Sequence, residues 1–120
     1  MILVDTSVWI HHLRHQNENL KHLLQEDQVL CHPFIIGELA CGQLNPRKGI
    51  LSLMAALPQC KIVDHQEALQ FLEYHKLMGK GLGLIDIHLL ACAFLSRAFL
   101  WTRDKELHKT ACQLHIAHYV

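Results

Sequence analysis

The chain has 120 residues, a length at which one domain, 1–120, is the expectation. Half of it (51%) is apolar and 18% is charged, which supports a core and excludes a disordered chain. Eleven Lys and Arg balance eleven Asp and Glu, which argues against a protein that coats nucleic acid by charge alone. An enzyme whose acids hold cations stays open, because bound cations restore local positive charge.

No apolar run approaches the ~18–20 residues of a membrane helix. The opening MILVDTSVW has no basic region and carries an acid at position 5, so it does not read as a signal peptide. A soluble, cytoplasmic protein with no membrane partner is expected. The five cysteines are an odd number without CxxC spacing, so neither a disulfide framework nor a cysteine zinc site is expected. They read as small buried hydrophobes. Among eleven histidines, His11 and His15 have the i, i+4 spacing of a helical metal pair, yet HExxH is absent. Solvated or supporting histidines are the better reading.

Met1–Val4 predicts a buried first strand. Asp5, Thr6 and Ser7 are helix-capping types, and Val8–Leu13 begins a helix. Leu20, Leu23 and Leu24 mark a short helix closed by Gln25–Gln28. Val29–Cys31 predicts a second strand. Pro33 suits the first turn of a helix carrying Phe34, Ile35, Leu39 and Ala40, with Gly42 as its stop. Asn45–Pro46 opens a helix that Pro58 ends. Cys60–Val63 predicts a third strand and Gln66–Met78 a helix. The glycine-rich Gly79–Gly83 leads into the apolar helix Ile85–Leu95. Phe99–Thr102 predicts a fourth strand, Lys105–Gln113 a helix and His115–Val120 a fifth strand. Short apolar runs alternating with helices imply an α/β protein with a parallel sheet and helices on both faces.

Asp5 ends the first strand and Asp104 follows the fourth, where ligands bind in open parallel sheets. They meet if strands one and four are neighbours, as in the order 3-2-1-4-5. Glu38 and Asp86 are single charges in the apolar runs Phe34–Ala40 and Leu84–Leu90. A carboxylate on a buried helix is costly unless it is paired or holds a metal, although a solvent-facing or capping role suits each alone, and Asp86 especially a first helical turn. Like charges ~4 Å apart repel by ~4 kcal/mol at an effective dielectric of 20. A cluster of four acids therefore calls for a cation, and hard oxygen donors favour Mg²⁺ or Mn²⁺ over zinc. Such a site suits metal-assisted phosphodiester cleavage.

The runs Val4-Asp5-Thr6-Ser7-Val8-Trp9, Glu38-Leu39-Ala40-x-Gly42, Gly83-Leu84-Ile85-Asp86-x-His88-Leu89-Leu90-Ala91 and Leu100-Trp101-Thr102-Arg103-Asp104-Lys105 closely resemble PIN-domain proteins, and among them the VapC-type toxins. The resemblance spans essentially the whole chain. It implies a three-layer α/β/α sandwich and a Mg²⁺- or Mn²⁺-dependent endoribonuclease acting as the toxin of a type II toxin–antitoxin system. It also implies a homodimer and a cognate antitoxin covering the acidic site. By that resemblance Asp5, Glu38, Asp86 and Asp104 are the metal-binding and catalytic acids, with Thr6, Ser7 and Thr102 auxiliary. The three hydroxyls also suit plain helix capping. The chain departs from many relatives at His11, where they carry Asp.

Two rival readings are a phospho-acceptor signalling domain and a catalytically inactive PIN-like binding module. Against the first, only Asp5 stands at the end of the first strand. Against the second, all four acids are present. Gly79–Gly83 is no phosphate loop, since it follows a helix and lacks GxGxxG and GxxxxGK[ST]. Lys80, Arg103 and Lys105 are possible phosphate contacts or solvated charges, and Trp9 and Trp101 read as core.

Overall fold

The computed structural model describes all 120 residues, Met1–Val120. Its strands are β1 (Ile2–Val4), β2 (Val29–Leu30) and β3 (Phe99–Trp101). Its helices are α1 (Thr6–His15), α2 (Glu18–Gln25), α3 (Pro33–Ala40), α4 (Arg47–Ala56), α5 (His65–His75), α6 (Leu84–Leu95) and α7 (Lys105–Gln113). The sheet is parallel and ordered β2-β1-β3, pairing Ile2 with Val29 and with Phe99, and Val4 with Trp101. β1 is buried along its whole length, as a central parallel strand covered on both faces must be.

Two predicted strands are not formed. Cys60–Val63 is represented by one parallel bridge, Cys31 to Gln59, and His115–Val120 by one, Leu100 to Ala117. The reason lies in where the backbone donors go. Cys60 N–H still reaches Cys31 O (3.0 Å), but Lys61 N–H turns away to Ser96 Oγ at 2.8 Å. On the other side His115 has a left-handed φ of 61° just before the chain meets Leu100. Both bridges extend the sheet at its edges, beyond β2 and beyond β3.

The helices begin where their caps allow. Asn17 Oδ1 accepts Leu20 N–H (3.1 Å) at α2, and Asp64 with Glu67 forms a reciprocal capping box at α5. α5 stops at Lys76 in a left-handed conformation, a turn short of the predicted Met78. α3 ends at Cys41 in an ordinary right-handed conformation, so Gly42 is not its stop. α6 is buried without interruption from Ile87 to Ala93, the pattern of a helix enclosed by the protein. Gly79 and Gly81, both at positive φ, form the turn that aims its start.

A cluster of 29 buried apolar residues unites the sheet, α6 and the inner faces of the other helices. Trp9 and Trp101 belong to it. All five cysteines are free thiols; Cys31, Cys60 and Cys92 are buried, while Cys41 is exposed. No helix is long and apolar enough to cross a membrane.

Candidate active site

β1 delivers Asp5 to the carboxyl end of the sheet, where its N–H bonds Trp101 O of β3 at 2.9 Å. The side chain is buried, and its Oδ2 accepts two hydroxyls: Ser7 Oγ at 2.8 Å and Thr102 Oγ1 at 2.7 Å. Each hydroxyl accepts in turn. Ser7 Oγ takes Arg103 N–H at 3.0 Å, and Thr102 Oγ1 takes Asp104 N–H at 3.1 Å. With both hydroxyl protons committed to Asp5, the 3.3 Å approach of Ser7 to Thr102 is a contact between two acceptors. This network locks the end of β1, the start of α1 and the segment after β3 into one unit.

Glu38 lies in the last turns of α3 and is exposed. Its Oε1 accepts Thr6 Oγ1 at 2.7 Å, which ties α3 to the first residue of α1. Asp86 is the third residue of α6 and half-buried, with Oδ2 accepting Gly83 N–H at 2.9 Å. Asp104 is exposed and caps α7, its Oδ1 accepting Leu107 N–H at 2.9 Å. The expected cost of sinking Glu38 and Asp86 among apolar neighbours is thus largely avoided, because Glu38 faces solvent and Asp86 sits at the mouth of its helix.

The four acids share a geometry. Each uses one oxygen to hold its place, and the other oxygen has no hydrogen-bond donor. None is within ion-pair distance of a base, since the protein's one such contact is His22 with Glu26. They are close enough to feel one another. Asp86 is held above the usual carboxylate range first by desolvation, then by the charges of Asp5, Asp104 and Glu38, with the Gly83 amide opposing. The donors are all hard oxygens, and the uncompensated negative charge is what a hard divalent cation would neutralise. The carboxylate oxygens are spread more widely than the ligands of a single ion, as no three of the acids bring oxygens within 4.8 Å of one another.

The PIN domain profile matches residues 2–112, the span that holds all four acids. The chain belongs to the PIN domain family. Ribonuclease VapC32 of Mycobacterium tuberculosis, in two strains, is 49% identical over 113 residues, covering 93% of this chain and 90% of that protein. A solved structure of FitAcB from Neisseria gonorrhoeae and one of FitAB bound to an IR36 DNA fragment superpose with TM-scores of 0.67 at 23% and 22% identity. They cover 100% and 99% of this chain, and 97% and 94% of theirs. PAE2754 from Pyrobaculum aerophilum gives 0.60 at 19%, over 90% of this chain and 77% of its own. These likenesses show a PIN fold.

No basic side chain forms an ion pair with any of the four acids. Arg103 is exposed and close enough to His11 to depress that imidazole, behind desolvation as the larger cause. Lys80 is engaged with Gln113 Oε1 at 3.3 Å. Ser7 and Thr102, expected as auxiliary or capping groups, cap no helix here, and both point at Asp5.

One grouping was not foreseen from the sequence. His32, Cys60 and Cys92 are buried together, with one donor atom from each within 4.8 Å of the others. Spacing along the chain hides it, since the three come from separate segments.

Proposed function

We propose that this chain is a metal-dependent endoribonuclease, the toxin of a type II toxin–antitoxin pair, with Asp5, Glu38, Asp86 and Asp104 as its catalytic and metal-binding acids. The observation that carries this reading is the set of four carboxylates, each with one free oxygen and none in an ion pair with a base. The 49% identity to Ribonuclease VapC32 supports the RNA substrate. A cognate antitoxin covering the acids and a homodimer complete the proposal, as does a cytoplasmic location, which five free thiols fit.

Bound Mg²⁺ or Mn²⁺ would supply activation of the attacking water and stabilisation of charge on the scissile phosphate. The residues of the chain set up that event. Ser7 and Thr102 fix Asp5 through Oδ2, which leaves Oδ1 as its free oxygen. Thr6 orients Glu38 in the same way. Burial of Asp5 keeps its carboxylate in one orientation, while the exposed Asp104 and Glu38 leave the mouth open to a polymer. Arg103, exposed next to Asp104 in the chain, is the group proposed to contact a backbone phosphate flanking the cut.

The test is cleavage of RNA by purified protein with Mg²⁺ or Mn²⁺. Activity is expected to stop with chelator and to be lost in Asp5→Asn. Cleavage that persists through both treatments sinks the mechanism.

A further inference from the structure

We propose that His32, Cys60 and Cys92 form a buried zinc site, using none of the four acids, that ties α3 and the edge of the sheet to α6. The three donors come from rigid places. His32 is the residue before α3, Cys60 is bonded through its N–H to Cys31 O at the sheet edge, and Cys92 lies in the buried run of α6. Their exposures are 1%, 5% and 0%.

Two thiols side by side in a core are ordinary packing. Buried imidazole nitrogens without partners are not. His32 Nε2 and His88 Nδ1 are both buried without a hydrogen-bond partner of good geometry, His32 standing against the Cys92 thiol. His88 lies one helical turn before Cys92 on α6, near enough to feel Cys92 and His32, but the converging donors are three, and a fourth position is left to a water or to a shift of His88.

The donor chemistry selects the ion. Thiolate and imidazole are soft or borderline donors, which favour zinc over the hard ions suited to the carboxylates. Two thiolates cancel the dication, so the loaded centre is neutral, as an apolar surrounding requires. Tetrahedral donors ~2.0–2.3 Å from zinc stand roughly 3.3–3.8 Å apart, so the present spacing needs a contraction of ~1.5 Å at most.

Loading has a defined proton balance. Cys60 and Cys92 bind as thiolates and release their two protons to solvent. His32 Nδ1 now accepts Phe34 N–H at 2.9 Å, so Nε2 carries the ring proton. Binding through Nε2 moves that proton to Nδ1 and breaks this cap. Zinc therefore loosens the Phe34 amide at the start of α3 while it joins the three segments.

The experiment unfolds the full chain with reductant and chelator, then refolds it with one equivalent of Co²⁺ or Zn²⁺, because a buried site fills during folding. The expected result is tetrahedral cobalt absorption with a thiolate charge-transfer band, displaced by one equivalent of Zn²⁺. Cys60→Ser and Cys92→Ser should each lose the band, whereas a His11→Ala, His15→Ala double variant keeps it. Zinc should also speed hydrogen exchange at the Phe34 amide in the wild-type chain. Refolded wild-type protein that binds no stoichiometric metal overturns the proposal, as does binding without a sulfur band or a Cys60–Cys92 disulfide under reducing conditions. Both wild-type readouts stand even where a serine variant fails to fold, and none depends on RNA cleavage.

Discussion

Thr102 Oγ1 donates to Asp5 Oδ2 at 2.7 Å across 97 positions of sequence, so the two strand ends at the candidate site are joined by one hydroxyl. Thr102→Val keeps the shape, removes that donor and leaves the Asp104 amide without its acceptor. RNA cleavage is expected to fall ~10–100-fold, the usual effect of losing a group that orients a ligand. Stability should fall by ~1–3 kcal/mol through the unpaired amide. Thr102→Ser should recover most of the activity. Wild-type turnover in the valine variant, measured at saturating Mn²⁺, removes Thr102 from the machinery.

The raised Asp86 carboxyl has a consequence for metal-free protein. Its folded value lies above the ordinary 3.8, so the folded state binds this proton more tightly than the unfolded state. The group therefore favours folding below 3.8, and that advantage is lost as pH rises through the raised value. Asp86→Asn keeps an oxygen for Gly83 N–H and removes the charge. In chelator, its melting temperature should match the wild type in acid and exceed it near neutrality. After discounting for solvent screening, the gain stays under about 1 kcal/mol, or up to about 4 °C. A melting difference that does not grow with pH contradicts this account.

Parts of this arrangement were legible in the sequence because local rules govern them. Asp5 after Met1–Val4 and Asp104 after Phe99–Thr102 follow from strand ends, and the middle of the sheet does place β1 beside β3. The edges were not legible. Cys60–Val63 has strand composition, yet Ser96 captures the amide of Lys61, a tertiary choice that no local pattern encodes. Which way Glu38 faces was open in the sequence for the same reason: the apolar run around it feeds Ile35 and Leu39 to the core while Glu38 turns outward. Nor does spacing show that residues 32, 60 and 92 converge.

Divalent cations should stabilise the folded chain through the unpaired acids. A ligand at one hundred times its dissociation constant adds ~2.7 kcal/mol. Mn²⁺ titration at pH 7 is expected to raise the melting temperature, and Glu38→Gln or Asp5→Asn to blunt the rise. The glutamine of Glu38→Gln can still accept the Thr6 hydroxyl, so that variant loses charge with little loss of packing. An equal Mn²⁺ response in wild type and both variants places the cation elsewhere.

Asp104 has two jobs that substitution can separate. Its Oδ1 caps α7 at Leu107 N–H, and its second oxygen is free to face a cation. Asn is as good a cap as Asp, whereas Ala is not, at a cost of ~1 kcal/mol. Asp104→Asn is therefore expected to hold the melting temperature while RNA cleavage collapses. Asp104→Ala should lose both. Were capping its only role, Asp104→Asn would cleave RNA normally and the alanine variant would lose activity only in step with stability. Measured side by side, melting and cleavage separate the two roles, because Oδ1 caps the helix and the proposed metal contact falls to the other oxygen.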